Sequence, residues 1–132
     1  MAPTESALNT IFVYGALMNG CELHQHMRGA EFLGRASVAG LLYSTGRYPG
    51  LKDGSGVVRG ELFRFSDIAV ALEVLDEVEG YDPLDPSASE YVRGIRSVRL
   101  EEGPTQPAWV YLYNREAEDG QRIASGRWVS RS

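Results

Sequence analysis

The sequence is poor in lysine, cysteine and long apolar runs. Its 132 residues hold one lysine, Lys52, against twelve arginines, and one cysteine, Cys21. A single cysteine closes no internal disulfide, which fits a reducing, cytoplasmic setting. No apolar run approaches the roughly 18 residues that span a bilayer, and Met1 to Asn9 has neither the basic nor the apolar region of a secretory signal. No membrane partner is therefore expected. The formal net charge is −5, and the arginines are scattered rather than gathered in a run, which argues against a nucleic-acid partner. There is no internal repeat, no Walker A loop, no GxGxxG and no GxSxG elbow.

What is present reads as one globular domain over residues 1–132, with residues 1–9 as a loose terminus. Thr10 to Tyr14 is a β-branched and aromatic run ended by Gly15, the pattern of a buried strand. Phe32 to Tyr43 has strand character interrupted by Gly34 and Gly40, which suggests bulges or barrel corners. Ser44 to Gly56, with four glycines and a proline, reads as a long loop. Val57 to Phe65, Val92 to Leu100 and Ala108 to Tyr113 read as further strands, and Arg127 to Val129 as a short last one. One clear helix is predicted from Ile68 to Glu79, capped by Ser66 or Asp67 and stopped by Gly80. The expected class is α+β, a small bent mixed sheet or barrel of about six strands.

That helix carries an anomaly. At ~100° per residue, Ile68, Ala71, Leu72 and Leu75 form one apolar stripe, with Glu73 and Glu77 opposite it. Glu79 falls inside the stripe, about 40° from Leu75 by the same period. If the helix continues that far, the carboxylate is partly desolvated, its pKa rises, and it suits general acid–base work. If the helix frays at Val78, Glu79 turns into water and means nothing.

Other candidates are weaker. Tyr14, Gly15, Ala16 and Leu17 follow the first strand, where a glycine lets backbone N–H groups approach a ligand. The same residues also read as an ordinary strand-ending turn. Tyr48, before Pro49-Gly50, can line a pocket or pack under its own loop. His24 and His26 are separated by one residue, but the segment lacks strand character and any CxxC or HExxH companion, so no metal site is read. Cys21 has no positioned base and reads as structural, and Asp82 and Asp85 read as turn formers beside prolines.

Taken together, these segments resemble the γ-glutamylcyclotransferase-like superfamily, which includes AIG2-like proteins. Val13-Tyr14-Gly15-Ala16-Leu17 resembles its YG[ST]L opening, and Gly29 to Gly34 its GAxFLG segment. Gly40 to Tyr43 with Tyr48 to Leu51 is similar to GxLYxxGxYPGL, and Val58 to Phe63 to VxGELY. Leu75 to Tyr81 is similar to LDxxEGY, Tyr91 to Arg93 to YxR, Ala108 to Tyr113 to AWVYxY, and Ile123 to Trp128 to IxSGxW. Each piece is short, but eight stand in order from about Ile11 to Trp128.

The resemblance implies a small mixed β-barrel with flanking helices and a cofactor-free enzyme acting on a small-molecule γ-glutamyl substrate. In the family reaction the substrate's own α-amine attacks its γ-carbonyl, releasing an amine and forming 5-oxoproline. The family's catalytic glutamate corresponds to Glu79. The loop Tyr14–Leu17 would bind the glutamyl end or the oxyanion, and Tyr48, Tyr91 and Tyr113 are the other expected pocket residues. One departure matters: Ala16 stands where the family usually has Ser or Thr, so a hydroxyl donor is missing while the backbone donors remain. Two alternatives follow, a non-catalytic small-ligand module of the same fold and an enzyme removing a γ-glutamyl protecting group from a biosynthetic intermediate.

Overall fold

The computed structural model describes residues 8–21, 23–46 and 48–128. Within them lie β1 (Thr10–Val13), β2 (Glu31–Ser44), β3 (Pro49–Arg64), α1 (Ile68–Glu79), β4 (Tyr91–Leu100) and β5 (Thr105–Tyr113). Short 3-10 turns occur at His24–Met27, Pro86–Ala88 and Asp119–Gln121. The strands close into a barrel in the order β1-β3-β2-β4-β5. All neighbours are antiparallel except β1 and β5, which run parallel and meet at Ile11 and Trp109. This is the mixed barrel expected from the sequence, with five strands for the expected six. Arg127 and Trp128 lie outside any strand, and Val129, like residues 1–7 of the expected loose terminus, is outside the described residues. Leu8 and Asn9 are fixed instead: Leu8 is buried, and Asn9 O accepts a hydrogen bond from Phe65 N at 2.9 Å. No helix among the described residues is long and apolar enough to cross a membrane.

Two apolar clusters flank the barrel wall, and strand alternation distributes side chains between them. Along β1 and just beyond it, Phe12 and Tyr14 point into the barrel while Ile11 and Val13 face the cluster under α1. β5 does the same, with Ala108 and Val110 inside and Trp109 and Tyr111 under the helix. These strands are covered on both faces, which explains why they read as continuous apolar runs. At the end of β3, Phe63 and Phe65 join the helix-side cluster and Leu62 the barrel interior.

The largest correction concerns Ser44 to Gly56. Its expected long loop shrinks to a tight turn, in which Thr45 N donates to Tyr48 O at 2.9 Å, and β3 begins at Pro49. Leu41, Leu42, Tyr43 and Ser44 pair with Lys52, Leu51, Gly50 and Pro49. Gly46 does turn the chain, at φ +116°, but Gly50, Gly54 and Gly56 are present because neighbours approach closely. A Cβ on Gly50 would lie 2.6 Å from Tyr113 Cβ, and one on Gly54 2.6 Å from Leu41 Cγ. Gly34 and Gly40 do mark the irregularities expected of them, since the β2–β3 register shifts between Phe32 and Gly34 and between Ala39 and Leu41.

The crossing of β1 and β3 offers a direct test. A Cβ on Gly60 would collide with Val13 O and stand 2.8 Å from Phe12 Cζ, whereas one on Gly120 would meet nothing within 4 Å. Gly60→Ala is expected to lower stability by at least about 2 kcal/mol in urea unfolding, and Gly120→Ala by less than about 0.5 kcal/mol. Equal effects would contradict the close β1–β3 approach.

Candidate active site

The helix end settles whether Glu79 is held or frayed. Asp67 caps the start of α1, its side chain accepting from Val70 N at 3.3 Å. Leu72 and Leu75 are buried against the barrel. At the other end Gly80 adopts φ 68° and ψ 35°, the left-handed conformation that glycine takes without strain. Gly80 N donates to Glu77 O at 3.2 Å and Tyr81 N to Asp76 O at 2.8 Å. This closing pattern satisfies the last carbonyls and keeps the helix wound through Glu79. The carboxylate therefore stays on the barrel side of α1.

There it enters a cavity of about 210 Å³ between the end of β1, the turn before β3 and the C-terminal end of α1. Glu79 is half-buried, and among the described residues its carboxyl has no hydrogen-bond partner. Burial, and secondarily the charge of Glu90, push its pKa up to about 7. Its charge also raises the pKa of the buried Tyr14, Tyr91 and Tyr111 phenols, after the larger effect of burial itself. Those phenols are already committed. Tyr14 Oη donates to Tyr111 O at 2.6 Å and accepts from Leu51 N at 3.2 Å. Tyr91 Oη donates to Pro49 O at 2.8 Å. Tyr111 Oη donates to Asp76 Oδ1 at 2.6 Å. The tyrosines build the wall, and Glu79 enters it with no hydrogen-bond partner among the described residues, its pKa raised by burial.

Tyr14, Gly15, Ala16 and Leu17 line the same cavity, as does Tyr48. The chain turns sharply here: Met18 N donates to Gly15 O at 3.0 Å, and Leu23 N to Ala16 O at 2.9 Å. None of the N–H groups of Gly15, Ala16 and Leu17 donates to an acceptor among the described residues. Gly15 is needed for packing, because a Cβ there would stand 2.7 Å from Pro49 Cγ. Tyr91 lines the cavity, but Tyr113 does not. It pairs with Tyr91 in register and packs behind that ring, with centroids 5.4 Å apart, while Tyr111 occupies the wall instead.

Sequence reasoning passed over Asp76, whose carboxylate is buried and gripped by Arg93 and Tyr111. At about 100° from Leu75 it sits at the margin of the apolar stripe, and that position was the available signal. His24 and His26 lie in a 3-10 turn, with His24 Nδ1 2.8 Å from Leu17 O. No group of three or more metal-ligating side chains gathers among the described residues. Asp82 serves its turn, its side chain accepting from Leu84 N at 2.9 Å.

The chain is similar to known proteins along most of its length. The family described as γ-glutamyl cyclotransferase, AIG2-like, matches residues 11–130. The chain is 34% identical over 122 residues to the γ-glutamylcyclotransferase family protein YtfP of Escherichia coli K12, covering 92% of this chain and 96% of that protein. It is 38% identical over 108 residues to the γ-L-glutamyl-butirosin B γ-glutamyl cyclotransferase of Niallia circulans, covering 80% and 67% of the two chains. The crystal structure of an AIG2-like protein from Mus musculus shares the fold, with a TM-score of 0.69 at 24% identity over 92% of this chain and 88% of that one.

A raised carboxyl pKa lowers stability as pH rises. Between the ordinary value of 4.5 and about 7, the folded chain keeps a proton on Glu79 that the unfolded chain releases. Stability is therefore lost as pH climbs through that window, and Glu79→Gln removes the loss. The variant is expected to match the wild type near pH 4.5 and to exceed it near pH 8 by on the order of 1–3 kcal/mol in urea unfolding. A difference that does not change with pH would mean that Glu79 is solvated.

Proposed function

The chain belongs to the γ-glutamyl cyclotransferase, AIG2-like family, and from that premise we propose that it cyclises small γ-glutamyl compounds to 5-oxoproline, with Glu79 as both base and acid. The observation that carries this reading is the unpaired Glu79 carboxyl, pushed up to about 7, in one cavity with Gly15, Ala16 and Leu17. A group poised near neutral pH can both take and return a proton.

The steps follow from that placement. The Glu79 carboxylate removes a proton from the substrate α-ammonium. The freed amine attacks the γ-carbonyl carbon within the same molecule, so a C–N bond forms and the carbonyl oxygen becomes an oxyanion. Attack within one molecule supplies proximity without a protein nucleophile. The N–H groups of residues 15–17, which donate to no acceptor among the described residues, are the donors this reading assigns to the oxyanion. Collapse of the adduct breaks the C–N bond to the leaving nitrogen, which takes the proton back from Glu79, and the ring nitrogen then gives up its second proton, through the freed Glu79 carboxylate, to the departing amine, leaving the neutral lactam. Ala16 leaves this backbone set intact while removing a side-chain donor. The single cysteine supports a cytoplasmic setting for the reaction.

A second reading, removal of a γ-glutamyl protecting group from a biosynthetic intermediate, is favoured by the 38% identical relative whose name specifies γ-L-glutamyl-butirosin B. The two readings share their chemistry and differ in the leaving group.

Release of 5-oxoproline, followed by mass spectrometry across γ-glutamyl dipeptides, glutathione, γ-glutamyl-ε-lysine and γ-glutamyl alkylamines, tests the proposal. Wild type should release it, and Glu79→Gln should lose at least about a hundredfold in kcat. Full activity in that variant overturns the role of Glu79, and no product from any substrate at any pH points to a binding module.

The pH profile adds a finer check. Only the ionised carboxylate accepts the proton, so kcat/KM should fall below about pH 7. Glu90 contributes to that raised value, so Glu90→Gln should move the acid limb to lower pH. An unmoved limb would assign it to another group.

A further inference from the structure

We propose that the outward face of β2, β3 and β4 holds a second binding site, for a ligand carrying two or more linked phosphate groups. The arginines scattered along the sequence are gathered by the sheet. Arg59 of β3 and Arg99 of β4 are both register partners of Ser37 on β2, one on each side of it. Neighbouring strands lie about 4.8 Å apart, so the two arginine backbones stand about 10 Å apart. Arg35 is two residues from Ser37, on the same face, and pairs with Glu61 of β3.

A fourth cation comes from the closing segment. Gly126 has φ +68°, and any side chain there would collide with Val57 O. Its own carbonyl accepts from Arg59 N at 2.8 Å. That close packing sets Arg127 beside β3. The four arginines line a groove of about 500 Å³ that is also walled by the half-buried Trp128. It shares no lining residue with the cavity around Glu79.

The pairing of these arginines differs from that of others in the chain. Arg64, Arg93 and Arg96 each hold a carboxylate partner. Arg35, Arg59, Arg99 and Arg127 are all exposed, and none has an ion-pair partner among the described residues. Of the two carboxylates that line the groove, Glu61 accepts from Asn19 N at 2.7 Å and Glu101 is exposed. The groove therefore concentrates positive charge in a chain whose net charge is −5. Guanidinium forks match phosphate oxygens in bidentate geometry. Like charges held within about 10 Å repel at low ionic strength, and a polyanion bridging them removes that repulsion. A single phosphate can engage at most two or three of these guanidinium groups at once, whereas a chain of linked phosphates can lie along the groove and engage all four.

Isothermal titration with inorganic tripolyphosphate, ATP and orthophosphate, at low salt, tests the site. Tripolyphosphate should bind saturably at one site, more tightly than orthophosphate, and should weaken in about 0.5 M salt. Arg59→Ala with Arg99→Ala should weaken it by at least about tenfold, with an unchanged circular dichroism spectrum. Arg28→Ala, an exposed cation away from the groove, should leave binding intact. Tighter binding of ATP with quenching of tryptophan fluorescence would identify a nucleoside polyphosphate, and equal binding would identify the phosphate chain itself. No saturable binding, an equal loss in the Arg28 variant, or a single-stranded oligonucleotide bound tenfold more tightly than tripolyphosphate would overturn the proposal.

Discussion

Asp76 fastens the helix to the barrel, and the candidate active site depends on that attachment. Arg93 holds both carboxylate oxygens, with Nε 2.8 Å from Oδ1 and NH2 3.1 Å from Oδ2, while Tyr111 Oη donates to Oδ1 at 2.6 Å. Arg93 and Tyr111 are register partners on β4 and β5, so one helical residue is tied to two adjacent strands. The Arg93 guanidinium also lies 4.5 Å from the centre of the Trp109 ring and 5.6 Å from that of Tyr81. Removing one member of such a buried pair leaves an uncompensated charge, at about 3–5 kcal/mol. The rotation of α1 about its axis is therefore strongly constrained. Glu79 lies three residues on, a neighbour on the same side of the helix, and shares that constraint.

Two carboxylates on one helix thus have opposite environments. Asp76 meets a cation and a hydroxyl, whereas Glu79 meets phenols whose hydroxyls are bound elsewhere and a second acidic residue, Glu90. Burial without a partner is unfavourable, and here it is imposed by groups that are themselves fully satisfied. The fold keeps Glu79 in place because Asp76, Leu72 and Leu75 hold the helix down and Gly80 closes its end. A group held in that way titrates near neutral pH, the property acid–base chemistry needs.

Much of this was legible in the residues. The helix, its Asp67 cap and its Gly80 stop agree with the pattern because caps and left-handed stops are local chemistry. Gly34 and Gly40 announced the bends of β2. The misplaced angle of Glu79 was visible because helical periodicity is regular enough to betray one charged side chain in an apolar stripe. Other features misled. Gly50, Gly54 and Gly56 imitated a loop, since glycine composition is the same whether a chain turns or is pressed by a neighbour. Tyr113 and Tyr111 share one face of β5, and only the contact of Tyr113 with Tyr91 places it behind the cavity wall.

The sequence by itself determined the elements whose causes lie within a few residues: strand alternation, the helix with its caps, and the angular position of Glu79. Tertiary structure alone decided what depends on distant segments. It brought Arg93 and Tyr111 to Asp76, left Glu79 without a hydrogen-bond partner among the described residues, and set Arg35, Arg59, Arg99 and Arg127 around one groove. The physical reason is that desolvation and charge pairing depend on distances in space. A closed barrel joins residues nearly a hundred positions apart, as where Tyr14 Oη meets Tyr111 O, and no local pattern records such a distance.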